Sequence, residues 1–441
     1  MNNGVRWKLS VMMFLQFFIW GAWLPLIFGY LPSLGFTPGQ QSLILNAFPI
    51  AAIVGMFFSN EFADRNFAAE KVLAFSMLVG GLAIGGLAFT RSFWPFFILM
   101  LVHCLLYVPT ISITNSIAFA NLKDAQKEFG LVRLWGTIGW IAAAWPFTFI
   151  LVDWAKVEAA NPEGIVSWVG AVLGSGLTGD PLKEATKWTY VVAGIASLVL
   201  AAFSLLLPHT PPKKAEHKED SLAWVEAGRL LKHPFILVLW LVTLVDAFVH
   251  NSYFNWTGVF LGTAADKGGT GIPGNWIMPI MSIGQIAEIG TMVILGATLK
   301  KLGWRWTMVV GIMGHAARFA VYAFCPQQKE MIIVVQVLHG ICYAFFFATV
   351  YIFVEEFFPK DARASAQGLF NVMILGIGSL VANSVCPYLI QKVFTGPEGT
   401  DFRGLFLVPM FAALVAAIAL AVFFRPPEKS QASTAAPAPP H

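Results

Sequence analysis

"PHTPPKKAEHKEDSLAWVEAGRLLKHP", residues 208–234, interrupts a chain that is otherwise built for oil. Its proline pair and mixed charges cannot enter a bilayer, although the part after Ser221 can form a surface helix. On either side lie long apolar runs. The 441 residues are 57% hydrophobic and 12% charged, about half the charge of an ordinary soluble domain. Mean hydropathy is +0.70. A helix needs about 20 apolar residues to cross a bilayer core of about 30 Å. Counted that way, six spans precede the polar stretch, near 9–30, 41–60, 70–90, 94–120, 129–152 and 187–207. Six follow it, near 234–262, 276–299, 304–324, 330–354, 364–394 and 403–425. The expectation is an all-α membrane protein of twelve transmembrane helices in two six-helix bundles. Its parts are residues 1–207, a cytoplasmic linker 208–233, residues 234–425 and a disordered tail 426–441.

The apolar run that follows Arg6 and Lys8 is too long for a signal peptide and reads as a retained first span. Lysine and arginine favour cytoplasmic loops. With the N-terminus inside, the inner segments hold more than twice as many of these residues as the outer ones, so both termini are expected in the cytoplasm. The loops "FADRNFAAEK" after span 2 and "LKKLGWRW" after span 8 are tight, charged turns at matching places. They fit two parallel six-helix repeats, as in major facilitator transporters. Gly81 and Gly85 form a GxxxG spacing in span 3, read as packing inside the bundle rather than as a dimer seam; a monomer is expected. Cys104, Cys325, Cys342 and Cys386 have no metal-ligand spacing and read as packing thiols.

Nothing in the chain resembles a nucleotide-binding loop, a metal motif or a catalytic serine elbow. No cofactor, no metal and no nucleic-acid partner are expected, nor is an enzyme. The net charge of +4 is spread over loops.

The informative residues are polar groups deep inside spans. A charged side chain at a helix centre costs about 2.5–3.5 kcal/mol on insertion scales. Such groups usually face a bundle interior or a watery cavity. Span 5 carries Arg133, Thr137 and Trp140 at offsets of four and three, on one helix face. Arg133 lies near the cytoplasmic end, where snorkelling to the interface is the plain alternative. Span 7 carries Asp246, His250, Asn251, Tyr253 and Asn255; Asp246 and His250 are four apart and can pair structurally. Span 8 carries Gln285 and Glu288 on a shared face, with no lysine or arginine within a turn of Glu288. A lone carboxylate in hydrocarbon is expensive and proton uptake removes that expense, so Glu288 is the candidate proton carrier. A neutral acid held by a helix neighbour is the alternative. Span 9 carries His315 and Arg318, read as structural, with a carboxylate of another helix as partner. Span 10 carries Gln336, His339 and Tyr343 on one face. Gln16, Trp20 and Trp23 in span 1, and His103, Tyr107, Thr110 and Asn115 in span 4, either line a cavity or pack.

Six stretches then carry a family resemblance: "LQFFIWGAW" (15–23), "LLYVPTISITNSIAF" (105–119), "VRLWGTIGW" (132–140), "IMSIGQIAEI" (280–289), "LHGICYAFFF" (338–347) and "RASAQGLF" (363–370). The chain resembles the bacterial nucleoside:proton symporters of the major facilitator superfamily. That resemblance implies a bacterial inner-membrane importer that couples nucleosides to protons by alternating access. It implies a substrate site of Arg133, Thr137, Trp140, Asn251, Asn255 or its neighbour Phe254, Gln285, Glu288, His339 and Tyr343. In the family an aspartate often follows the position of Tyr343; here that residue is Ala344, which leaves coupling to Glu288 with Asp246 as a substitute. The alternatives are a related solute (a sugar, a nucleobase or a cell-wall fragment) or a membrane sensor that moves nothing.

Overall fold

The computed structural model describes residues 3–122, 125–212, 231–358 and 363–425. Most of the linker and the whole tail anticipated at 426–441 lie outside the described residues. Backbone amides have no water to bond in hydrocarbon, so an apolar run must satisfy them internally, and helices are the local solution. Among the described residues nine helices are long and apolar enough to cross a membrane. One of these, Gly274–Phe324, is two spans in a single run. It breaks at Gly303, whose φ of 71° lies in the left-handed region that favours glycine. The helices Pro38–Asn66 and Ala125–Ala144 supply spans 2 and 5. The order thus matches the expected twelve, with span 1 at Asn3–Ser33, span 4 at Phe93–Asn121, span 6 at Lys187–Ser204 and span 7 at Pro234–Gly262.

Contacts gather the chain into two compact units. The first holds Met1–Lys214, Tyr253–Gln285 and Asn383–Asp401; the second holds Ala215–Ser252, Ile286–Ala382 and Phe402–His441. Spans 7, 8 and 11 therefore give one part of their length to each unit.

In the first unit the GxxxG of span 3 meets span 6. A Cβ on Gly81 would lie 2.8 Å from Cβ of Ser197, and one on Gly194 would lie 2.9 Å from Cα of Gly85. The seam is spent inside the bundle. The segment between spans 5 and 6 contains three short helices, Trp154–Ala159, Gly164–Gly174 and Gly179–Ala185. They are pinned to the start of span 8: Trp276 Nε1 donates to the Leu173 carbonyl at 2.9 Å, and the Gly274 amide donates to the Leu177 carbonyl at 2.7 Å.

In the second unit, span 10 (Lys329–Val354) contains a π-helical turn at Tyr343–Ala348. Such turns shift side-chain direction and concentrate at functional sites. Gly340, one turn earlier, packs on the backbone of Ala287 and Glu288 so closely that a Cβ would not fit.

Candidate functional site

In the first unit, span 5 carries glycines that let it lie backbone-to-backbone on span 1. A Cβ on Gly136 would fall 2.7 Å from Cδ2 of Phe17, and one on Gly139 would overlap the Phe14 carbonyl. On the span-1 side, a Cβ on Gly21 would lie 2.9 Å from the Trp140 carbonyl oxygen. This close approach brings Arg133 over the Phe17 ring, 3.9 Å from its centroid. It also sets Trp140 edge-on to Trp20, with centroids 5.2 Å apart at 84°. Trp20 in turn stacks on Phe48 at 4.7 Å. Trp140 also meets Phe254 of span 7, at 6.3 Å and 71°. Arg133, Thr137 and Trp140 are all half-buried.

Below this aromatic set, Gln16 Nε2 donates to Thr110 Oγ1 at 2.9 Å, and the Tyr107 hydroxyl donates to the Gln16 carbonyl. Span 4 thus positions span 1. Gln285 is buried, and its Oε1 has no hydrogen-bond partner among the described residues. The Trp20 indole N–H is in the same condition. Unmet groups of this kind are rare in native structures and are what a polar guest would satisfy.

Asn255 stands apart from that group. It is buried, and its Nδ2 donates to Asn383 Oδ1 at 3.1 Å, while Asn383 Nδ2 donates to the Leu45 carbonyl at 3.1 Å. It lines a small cavity with Gln41, Leu45, Trp256 and Gln391. Of the two neighbours considered for this position, Phe254 is the one that faces Trp140.

The second unit holds Asn251, Glu288, His339 and Tyr343, together with Asp246, with His250, and with His315 and Arg318, which read as structural from the sequence. His250 is the hub of the group. Its ring stacks on His339 at 4.9 Å and lies 6.3 Å from Tyr343, 5.7 Å from His315 and 5.2 Å from Phe347. Arg318, wholly buried, reaches both neighbours: Nη1 to His339 Nδ1 and Nη2 to His315 Nδ1, each at 2.9 Å. A guanidinium only donates, so both Nδ1 atoms accept and both rings carry their hydrogen on Nε2. His315 Nε2 then faces Asp246 Oδ1 at 3.8 Å. The carboxylate expected near Arg318 is present, with an imidazole between them. The sequence signal was a buried arginine three residues from a histidine, which fixes neither partner. Asn251 donates to the Ala247 carbonyl of its own helix at 2.8 Å, and Glu288 is half-buried beside Gly340.

The model of the family described as "Nucleoside H+ symporter" matches residues 3–178 and 163–429. The chain belongs to that family. It is 30% identical over 430 residues to YegT of Escherichia coli (strain K12), provisionally named a nucleoside transporter, covering 95% of this chain and 93% of that one. It is 26% identical over 432 residues to the xanthosine permease of the same organism, covering 95% of each chain. The crystal structure of the nucleoside transporter NupG superposes with a TM-score of 0.77 at 23% identity, covering 96% of this chain and all of that one. A D-xylose–proton symporter superposes at 0.66 and 14% identity, over 96% of this chain and 99% of the other. The fold is that of the major facilitator transporters. This member of the nucleoside symporter family is a multi-pass membrane protein.

Proposed function

We propose that this protein imports nucleosides across the bacterial inner membrane together with protons, by alternating access, with both termini in the cytoplasm. The observation that carries the reading is the setting of Trp140. A flat indole, in edge-on contact with Trp20 and with Phe254, sits on the same helix face as a guanidinium and a hydroxyl. A nucleoside offers a ring to stack and an edge and hydroxyls to hydrogen-bond, which matches that surface. The substrate is uncharged, so Arg133 donates to a carbonyl or hydroxyl rather than pairing with an anion. From the same unit Gln285 offers its unmet amide oxygen, with Asn255 supporting through Asn383. Asn251, Glu288, His339 and Tyr343 are the further residues we assign to substrate binding. Glu288 carries the proton, with Asp246 as the second acid. The halves 1–207 and 234–425, joined through 208–233, act as the two moving bodies.

The test is uptake of labelled nucleosides into proteoliposomes with and without an imposed pH gradient, with ribose, free base and intact nucleoside as competitors. Accumulation should need the gradient, and only the intact nucleoside should compete strongly. Equal competition by ribose or by base would replace this reading with a transporter of that solute. Binding with no counterflow would make the protein a sensor.

A further inference from the structure

We propose that His315 and Arg318 are positioning residues that carry the charge state of Asp246 to the ring of His339. This rests on the reading of the chain as a proton-coupled nucleoside carrier, and adds to it the route by which a proton is felt at the substrate. Four side chains from three helices form the path: Asp246, then His315 Nε2 at 3.8 Å, then Arg318 at 2.9 Å from His315 Nδ1, then His339 Nδ1 at 2.9 Å from Arg318. Asp246, His315, Arg318 and His339 are buried at 0%, 0%, 0% and 2% exposure. Neither oxygen of Asp246 has a hydrogen-bond partner among the described residues. The carboxyl is thus aimed into the cluster with its bonding capacity unspent.

The path does not conduct protons. Arg318 keeps all of its hydrogens, and both imidazoles stay in the Nε2–H form that Arg318 imposes. Asp246 is wholly enclosed here, so it exchanges its proton with the aqueous phase in those states of the transport cycle that open it to water. What changes is where His315 is pulled. A charged Asp246 draws the His315 Nε2–H across the 3.8 Å gap and loosens the grip of Arg318 on that ring. A neutral Asp246 releases His315, and Arg318 is then held between two acceptors with His339 fixed. His339 stacks on His250, which adjoins the half-buried Tyr343, so fixing the buried His339 ring fixes the packing behind Tyr343, the residue assigned to the nucleoside. The ionisable groups around Asp246 are His250 on its own helix, His315 and Arg318 on span 9, and His339, Cys342 and Tyr343 on span 10.

The test is the KM for nucleoside counterflow, with no gradient imposed, measured from mildly acid to mildly alkaline pH on the full-length protein in liposomes. The wild-type KM should change with pH. Asp246→Asn should flatten that dependence at the acid-side value. Arg318→Lys keeps the charge but not the two-pronged geometry; it should raise KM about tenfold, in keeping with the loss of a charged hydrogen bond, and flatten the profile. His315→Phe keeps a ring of similar size but can neither accept from Arg318 nor donate towards Asp246; it breaks the path without touching the contact of Arg318 with His339, and should flatten the profile also. A merely structural cluster would lower folded yield and turnover but leave the shape of the KM profile as in wild type. A wild-type profile in either Arg318→Lys or His315→Phe overturns the proposal, as does a pH-independent wild-type KM. If the wild type moves no nucleoside at any pH, the transport reading itself falls, which is a separate outcome.

Discussion

Arg318 and His339 are joined by a 2.9 Å hydrogen bond between helices of the second unit, from Nη1 to Nδ1. The bond decides which nitrogen of the imidazole carries a hydrogen, so one buried side chain dictates how another can bond. A similar division of labour runs through the first unit, where Phe17, Phe14 and Asn383 hold residues that the sequence singles out.

Phe17 lies under the Arg133 guanidinium at 3.9 Å. Cation–π contacts are worth about 0.5–2 kcal/mol. Phe17→Leu keeps most of the packing but removes the ring face. The nucleoside KM should rise about 2- to 30-fold, with Phe17→Tyr close to wild type; counterflow kinetics read both. An unchanged KM in Phe17→Leu would mean that Arg133 is oriented by other contacts.

Gly139 allows spans 1 and 5 to touch, and a methyl there would meet the Phe14 carbonyl, which cannot swing away as a flexible side chain would. Gly139→Ala should destabilise the protein by about 1–3 kcal/mol through overpacking. Gly130→Ala is the control, because nothing lies within 4 Å of its Cβ position. In a helix interior that change should be neutral or stabilising by about 0.5–1 kcal/mol. Thermal unfolding in detergent separates the two.

Asn255 and Asn383 share an amide–amide hydrogen bond at 3.1 Å. Asn255→Ala and Asn383→Ala should each cost about 1–3 kcal/mol, since each leaves a buried amide unmet. The double variant should lose clearly less than the sum. Additive losses in a double-mutant cycle of melting measurements would show the pair to be uncoupled. Asn251→Ala, by contrast, should act chiefly on KM.

Glu288→Gln removes the ability to take up a proton while keeping size and polarity. Acid-stimulated accumulation in proteoliposomes should vanish, with nucleoside exchange retained. Uphill uptake at the wild-type rate would take Glu288 out of coupling and leave Asp246 in its place.

Much of the architecture could be read before any coordinates. The apolar runs, the turn within "LKKLGWRW", and the use of Gly81 and Gly85 inside the bundle follow from hydropathy, charge and residue size; that the turn breaks at Gly303 is seen only in the structure. The face shared by Arg133, Thr137 and Trp140 follows from helical period. The setting of that face does not, because it depends on the rotation of span 5 against span 1. The fate of Asn255 was equally hidden, since its partner lies 128 positions away.

The sequence by itself determined that this chain crosses a membrane many times, where the crossings fall, and which polar side chains would be costly if they faced lipid. These are properties of single runs, because a backbone in hydrocarbon must satisfy itself within its own helix. Only the tertiary structure decided what those polar groups meet: that Arg318 grips two histidines, that an imidazole stands between it and Asp246, and that Phe254 rather than Asn255 faces Trp140. A buried side chain takes its partner from whichever helix comes within about 3 Å of it. That distance is set by glycine seams and helix rotations, which no single run of residues contains.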